Sequence, residues 1–217
     1  MTMTRRFSRF PSVPTRRGPA ARWEHIVMRG LGWIAYPAMA GMACTLISLG
    51  VITWVPALAA TATTLRRWRV DGDEAVFTGV FTDFGVYWRK LWAHGLLVGV
   101  VGLVLVVNMA MLFNAGSALA MSVFSVQLGL GLVVVAYHLC LAAVAALHPA
   151  ADPGQWRRLA LRHAFGCWHG PVVLLAAVAI TVVSLPLGIG PALFGPSVPL
   201  IIALACIGRD QPTAQDL

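Results

Sequence analysis

Residues 91–151 read LWAHGLLVGVVGLVLVVNMAMLFNAGSALAMSVFSVQLGLGLVVVAYHLCLAAVAALHPAA, 61 positions in succession without one Asp, Glu, Lys or Arg. A water-facing surface cannot be built from such a run, because nothing in it solvates. A bilayer core demands it, since each charge at a helix centre costs roughly 2.5–3.5 kcal/mol on insertion scales. One crossing takes about 20 apolar residues, so the run holds two, and Asn114-Ala115-Gly116-Ser117 supplies turn formers between them.

The rest of the chain repeats the pattern. Residues 30–65 and 163–208 are also free of charge, over 36 and 46 positions, and every charged side chain falls in windows 5–29, 66–90, 152–162 or 209–216. Two crossings per span return the chain to its starting side, which places all four windows on one face. They carry 7, 5, 3 and 1 Lys or Arg, and short loops rich in these residues stay cytoplasmic. The expected fold is an all-α polytopic transmembrane helical bundle. It has about six membrane helices plus cytoplasmic amphipathic helices, multi-pass in the cytoplasmic (inner) membrane with the N- and C-termini in the cytoplasm. Composition agrees: 59% hydrophobic residues, only 11% charged and a mean hydropathy of +0.78 lie well outside the soluble range. The net charge of +8 then reflects topology and attraction to anionic inner-leaflet lipid, and no nucleic-acid partner is expected.

The helices expected along the chain are about Gly30–Leu49, Val51–Leu65, Leu91–Phe113, Met121–Leu147, Pro171–Leu187 and Pro196–Ile207. Span 30–65 is the shortest, and Pro56 removes a backbone donor midway along its second helix. Two readings stay open there: two crossings with the second broken or tilted, or one crossing followed by an interfacial helix, for five in all. Residues 1–22 carry Arg, Ser, Thr and Pro without apolar periodicity and read as a disordered basic tail. Residues 23–208 form one transmembrane domain, and 209–217 a disordered C-terminal tail.

Window 66–90 is too polar to cross, yet Val76, Phe77, Val80, Phe81, Phe84 and Trp88 recur at helical spacing. The pattern predicts an amphipathic helix with an aromatic face, capped by residues 71–74 and lying along or under the membrane. A second amphipathic helix is expected to start at Asp152-Pro153. The glycines of Gly95-Leu-Leu-Val-Gly99 and Gly102 permit close helix approach.

Polar residues inside the spans are the natural site candidates: Asn108, Gln127 and His138, with Thr61, Thr63 and Thr64 in the second helix. They serve either as glue between helices or as a solute path converging near the midplane. Cys44, Cys140, Cys167 and Cys206 lack paired spacing and read as small packing residues. His163, Cys167 and His169 have no further ligand to complete a metal set. No paired carboxylates, no Ser-His-Asp order and no phosphate loop can be assembled, so no enzyme activity and no cofactor is expected.

Residues 54–92 resemble a known family. The stretch Trp54-Val-Pro56-Ala-Leu-Ala-Ala-Thr61-Ala-Thr63-Thr64-Leu65, followed by the arginines 66–69, Asp71-Gly72 and the run Phe77, Phe81, Phe84, Trp88, is similar to the YesL-like family (domain of unknown function 624). These are small bacterial multi-pass membrane proteins. Pro56, Thr63, Thr64, Leu65, Gly72, Phe77 and Phe81 fall at the family's motif places, while Ala59 stands where the family commonly has Thr. The resemblance implies an accessory or regulatory component of a carbohydrate ABC-type uptake system, with ABC transporter subunits as partners and no catalytic residues. A small-solute transporter or channel in its own right is the alternative, and a homo-oligomer is left open.

Overall fold

The structure, a computed structural model, describes residues 19–166, 168–184, 186 and 188–209. The expected C-terminal tail beyond Arg209 lies outside the described residues, as does the expected N-terminal tail up to residue 18. Residues 19–22 of that tail are instead the first turn of a helix. The chain divides at Ile34 and Ala35 into two units. The described part of the first is the opening half of that helix, and the second holds every other described element.

The elements are α1 (Pro19–Ser48), a 3-10 turn (Val51–Thr53), α2 (Trp54–Asp71), α3 (Val76–Ala115), α4 (Ala118–Leu147), α5 (Pro153–Phe165), α6 (His169–Ser184), α7 (Gly190–Phe194) and α8 (Ser197–Arg209). No strand occurs among the described residues. Four segments are long and apolar enough to span a membrane: Gly30–Ser48, Val76–Ala115, Ala118–Leu147 and Gly190–Arg209. A fifth arises if Pro153–Phe165 and Gly170–Ile180, bent by 80°, count as one. The chain is therefore an all-α membrane protein with four or five such segments among the described residues, a number that includes the five left open by the sequence and does not confirm six.

The expected helix Val51–Leu65 is not among these segments, and it is short and buried. α2 is enclosed by α3, α4 and α8, and Val55–Thr61 form an unbroken buried stretch. Its apolar part, Trp54–Leu65, is about 18 Å long, well short of the roughly 30 Å hydrocarbon core. Buried alanines are frequent on the helices of this core: Ala142, Ala143, Ala145 and Ala146 on α4, which packs on α2, and Ala40 and Ala43 on α1. Small side chains let helix backbones approach closely, which is how packing develops where lipid is as apolar as the protein. Pro56 does not break α2. It stands in the first turn, where the missing N–H has no intrahelical partner to lose.

A second correction concerns residues 76–90. They are not a separate interfacial helix but the first part of α3, which runs unbroken for 40 residues, about 60 Å. The charge pattern changes at Lys90, but no proline interrupts the backbone there, so the helix continues. Its length is twice the hydrocarbon thickness, and the part before Leu91, with Asp83, Arg89 and Lys90, extends beyond the apolar segment. The buried stripe on this part is Val76, Gly79, Val80, Tyr87 and Leu91. At 100° per residue the aromatics fall about a quarter-turn away from it. They pair along the helix, Phe77 with Phe81 at 5.3 Å and Phe84 with Trp88 at 5.7 Å between ring centroids. Phe77 and Phe84 pack partly against the core, while Phe81 is exposed.

The turns follow the sequence. Gly72 closes α2 at φ 71° and donates its N–H to Trp68 O at 3.1 Å, a left-handed cap that favours glycine. Asp73 accepts from Ala75 N at 3.0 Å ahead of α3, although Ala75, and no acidic residue, is the N-cap itself. Ser117 caps α4 by accepting from Ala120 N at 3.2 Å.

Candidate functional site

A helix that ends leaves its last carbonyls without intrahelical donors. α4 ends at Leu147, and three other elements supply donors there. Arg66 on α2 donates from Nη1 to Ala146 O at 3.0 Å. From α3, the Tyr87 hydroxyl donates to Ala145 O at 3.4 Å and Lys90 Nζ to Pro149 O at 3.2 Å. From α5, Trp156 Nε1 donates to His148 O at 2.8 Å. Trp156 is fully buried, with its ring 5.9 Å from that of Tyr87 and beneath Lys90 Nζ at 5.0 Å. Residues from the second and third charged windows thus meet around one helix end.

The same residues lock α2 to α3. Thr63 Oγ1 and the Tyr87 hydroxyl are 2.7 Å apart. Thr64 Oγ1 donates to Asp83 Oδ2 at 3.1 Å, and Arg67 Nη2 reaches that oxygen at 2.7 Å. Arg67 Nε also stands 4.0 Å from Asp73. The Asp83 side chain is only 17% exposed and that of Arg67 38%, so this pair is stronger than a surface ion pair and weaker than a buried one. Gly79 makes room: a side-chain carbon there would press on the Thr64 methyl at 2.9 Å. Asp83→Ala is expected to lower stability by about 2 kcal/mol, between the usual exposed and buried values. In an Arg67→Ala background the further loss should be about 1 kcal/mol smaller, read from unfolding in detergent. Equal losses in both backgrounds would show that the pair does not couple.

The expected site residues take different places. Pro56 and Thr61 are buried within α2, and Thr61 Oγ1 donates to Ala57 O at 2.8 Å. Thr63 and Thr64 similarly bond back to Ala59 O and Ala60 O, each at 3.0 Å, in addition to joining the α3 network. Phe77 and Phe81 flank it. Asn108, Gln127 and His138 do not share a surface: Asn108 is exposed on α3, Gln127 is half-buried, and His138 is buried three helical turns further along α4. The ring of His138 stacks on that of His94 at 5.4 Å and lies tilted against that of Trp54 at 5.2 Å, and Nδ1 is 2.7 Å from Val134 O. Among the described residues no three His, Cys, Asp or Glu side chains group as metal ligands. Cys167, of the His163, Cys167 and His169 trio, lies outside the described residues.

Sequence reading passed over Arg67, Asp83, Tyr87 and Trp156. Asp83 carried a signal, as the one acidic residue inside an aromatic-rich helical repeat. Trp156 carried none, because a tryptophan near a membrane boundary needs no special role.

Taken together, the geometry is that of a structural collar tying α2, α3, α4 and α5, most of whose members lie on the α2–α3 hairpin. No curated protein and no solved structure matches the chain. Residues 34–109, which cover the hairpin, match the model of the family described as "Protein of unknown function, DUF624", and this match supports the resemblance of residues 54–92 to the YesL-like family.

Proposed function

We propose that the chain is a non-enzymatic component of the cytoplasmic membrane that assists or regulates a carbohydrate uptake system of the ABC type, with both termini inside and with α1 and α2 entering and returning on that same face, as the 5.4 Å between the ring centroids of Tyr36 on α1 and Trp68 on α2 supports. In this reading it acts by docking to transporter subunits. The observation that carries it is the position of Asn108. This amide is exposed on α3 among Val104, Val106, Val107 and Met111, which are exposed too. Facing hydrocarbon, an amide has nothing to replace the hydrogen bonds of water, and a partner helix offering polar groups satisfies it. The family resemblance supports transporter subunits as that partner.

Purification of the tagged chain from its native membrane in mild detergent, followed by mass spectrometry, is expected to recover transporter subunits. Asn108→Leu should lose them at unchanged folded yield. Recovery of no transporter subunit, or equal recovery with the variant, would refute the docking reading. The topology has its own check. A cysteine at Ser117 should react with an impermeant thiol reagent added outside intact cells, and one at Gly72 should not. Labelling at position 72 would place the charged collar outside.

One observation favours a second reading, a small-solute transporter. His94 Nε2, Gln127 Oε1 and His138 Nε2, all on α3 or α4, are buried without hydrogen-bond partners, and such atoms are costly in a dry interior. Solute uptake by liposomes holding only this protein, abolished by Gln127→Leu, would establish that reading over docking.

A further inference from the structure

A cavity of about 330 Å³ opens at the end of the second unit where α2, α4 and α8 finish. Its lining holds three arginines, Arg66, Arg69 and Arg209, the last two exposed, and the apolar Leu147 and Leu204, of which Leu204 is buried and so makes an apolar floor. No carboxylate lines it among the described residues. Both ion pairs found among the described residues belong to Arg67, on another face of α2. Arg66 and Arg69 each use a donor on a backbone carbonyl, Ala146 O at 3.0 Å and Ile201 O at 3.4 Å. These bonds hold the two side chains in place across to α4 and α8, and a guanidinium has five N–H donors, so others remain. Two charged windows far apart in sequence, 66–90 and 209–216, are thereby brought to one cavity. Its size lies in the roughly 300–1,000 Å³ range of small-ligand sites.

From this we infer that the cavity is a binding site for the phosphoryl headgroup of an anionic phospholipid. Fixed arginines recognise phosphate oxygens by paired N–H donors, and the charge requirement excludes a zwitterionic headgroup from competing equally. The apolar floor, formed where spans α4 and α8 end, suits the glycerol and first acyl carbons that follow a headgroup into the membrane. A soluble phosphate ester shares the phosphoryl chemistry but has nothing to place on that floor. The site is thus distinct from a general attraction of the basic windows to the inner leaflet, and independent of the docking of Asn108.

The test uses the full chain, purified and reconstituted in nanodiscs of phosphatidylcholine containing a minor fraction of phosphatidylglycerol, then released for native mass spectrometry. Retained phosphatidylglycerol is expected to exceed its bulk share. The double variant Arg69→Gln/Arg209→Gln should bind it about 30-fold more weakly, the effect of two arginines near a lipid surface. Both side chains are exposed, so folding should survive, and helicity and monodisperse elution check that. Arg157→Gln/Arg158→Gln, on exposed positions of α5, removes the same net charge elsewhere and should leave retention unchanged. An equal loss in that control would reduce the effect to net charge and overturn the site. So would phosphatidylglycerol retained no better than its bulk share, or retained undiminished by the first pair. Displacement of the lipid by millimolar glycerol phosphate, with direct binding of that ester to lipid-free protein, would overturn the lipid assignment and give the cavity to a soluble phosphoryl ligand.

Discussion

Trp156→Ala is expected to cost about 3–5 kcal/mol, the usual range for deleting a fully buried large aromatic, and to leave little folded protein at 37 °C. The indole is fully buried between α3, α4 and α5. Its removal opens a cavity beneath Lys90 and leaves the His148 carbonyl without its donor. Trp156→Phe separates these contributions. It keeps most of the ring volume and removes only the Nε1 donor, for an expected loss of about 1–2 kcal/mol. Unfolding followed by circular dichroism in detergent micelles measures both. Should the two variants lose equally, the hydrogen bond and not the packing dominates; should neither lose, α5 is not held by this residue.

Gly95→Val is expected to destabilise by about 3 kcal/mol or more, the upper range for overpacking. The backbone of α3 here lies directly against the 3-10 turn before α2. A side-chain carbon at Gly95 would collide with the Ile52 carbonyl oxygen, which is backbone and cannot swing aside. Four residues on, Gly99 faces Val51 in the same way, with its carbonyl oxygen 3.3 Å from where a side-chain carbon would sit. Gly102 is the matched control, because nothing lies within 4 Å of its added carbon. Gly102→Ala should be neutral, or stabilising by up to about 1 kcal/mol from helix propensity. A thermal-unfolding comparison decides it: equal effects at positions 95 and 102 would refute the close approach.

That contrast shows what could be read from the chain. The spacing of Gly95 and Gly99 announced a close helix contact, and the structure supplies it within the chain, against the turn before α2. Gly102 belonged to the same small-residue pattern, yet it faces open space, because the 3-10 turn is only three residues long and α3 runs past it. Thr63 and Thr64 were legible as polar residues in an apolar stretch. Their partners were not, since Tyr87 and Asp83 lie 24 and 19 residues further along the chain and meet them only when Gly72 turns α3 back on α2. The aromatic repeat from Phe77 to Trp88 was a true helical signal but named the wrong face. The stripe that packs carries Gly79, Val80 and Tyr87, because close approach to α2 at Thr64 and Arg67 requires a glycine where the longer rings do not fit.

By itself the sequence determined that this is an all-helical membrane protein, where its charged windows lie, and where most helices end. Charge and hydropathy decide these matters locally, since each residue meets lipid or water on its own account and the penalty for a misplaced charge is several kcal/mol. Tertiary structure alone decided that α2 is wrapped in protein, that residues 76–90 continue into α3, and that the end of α4 gathers donors from three elements. The same holds for Arg66, Arg69 and Arg209 around one cavity. These are choices between neighbours of similar apolarity, settled by which small residues let backbones touch and which carbonyls lack a donor. Those quantities exist only once the helices are side by side.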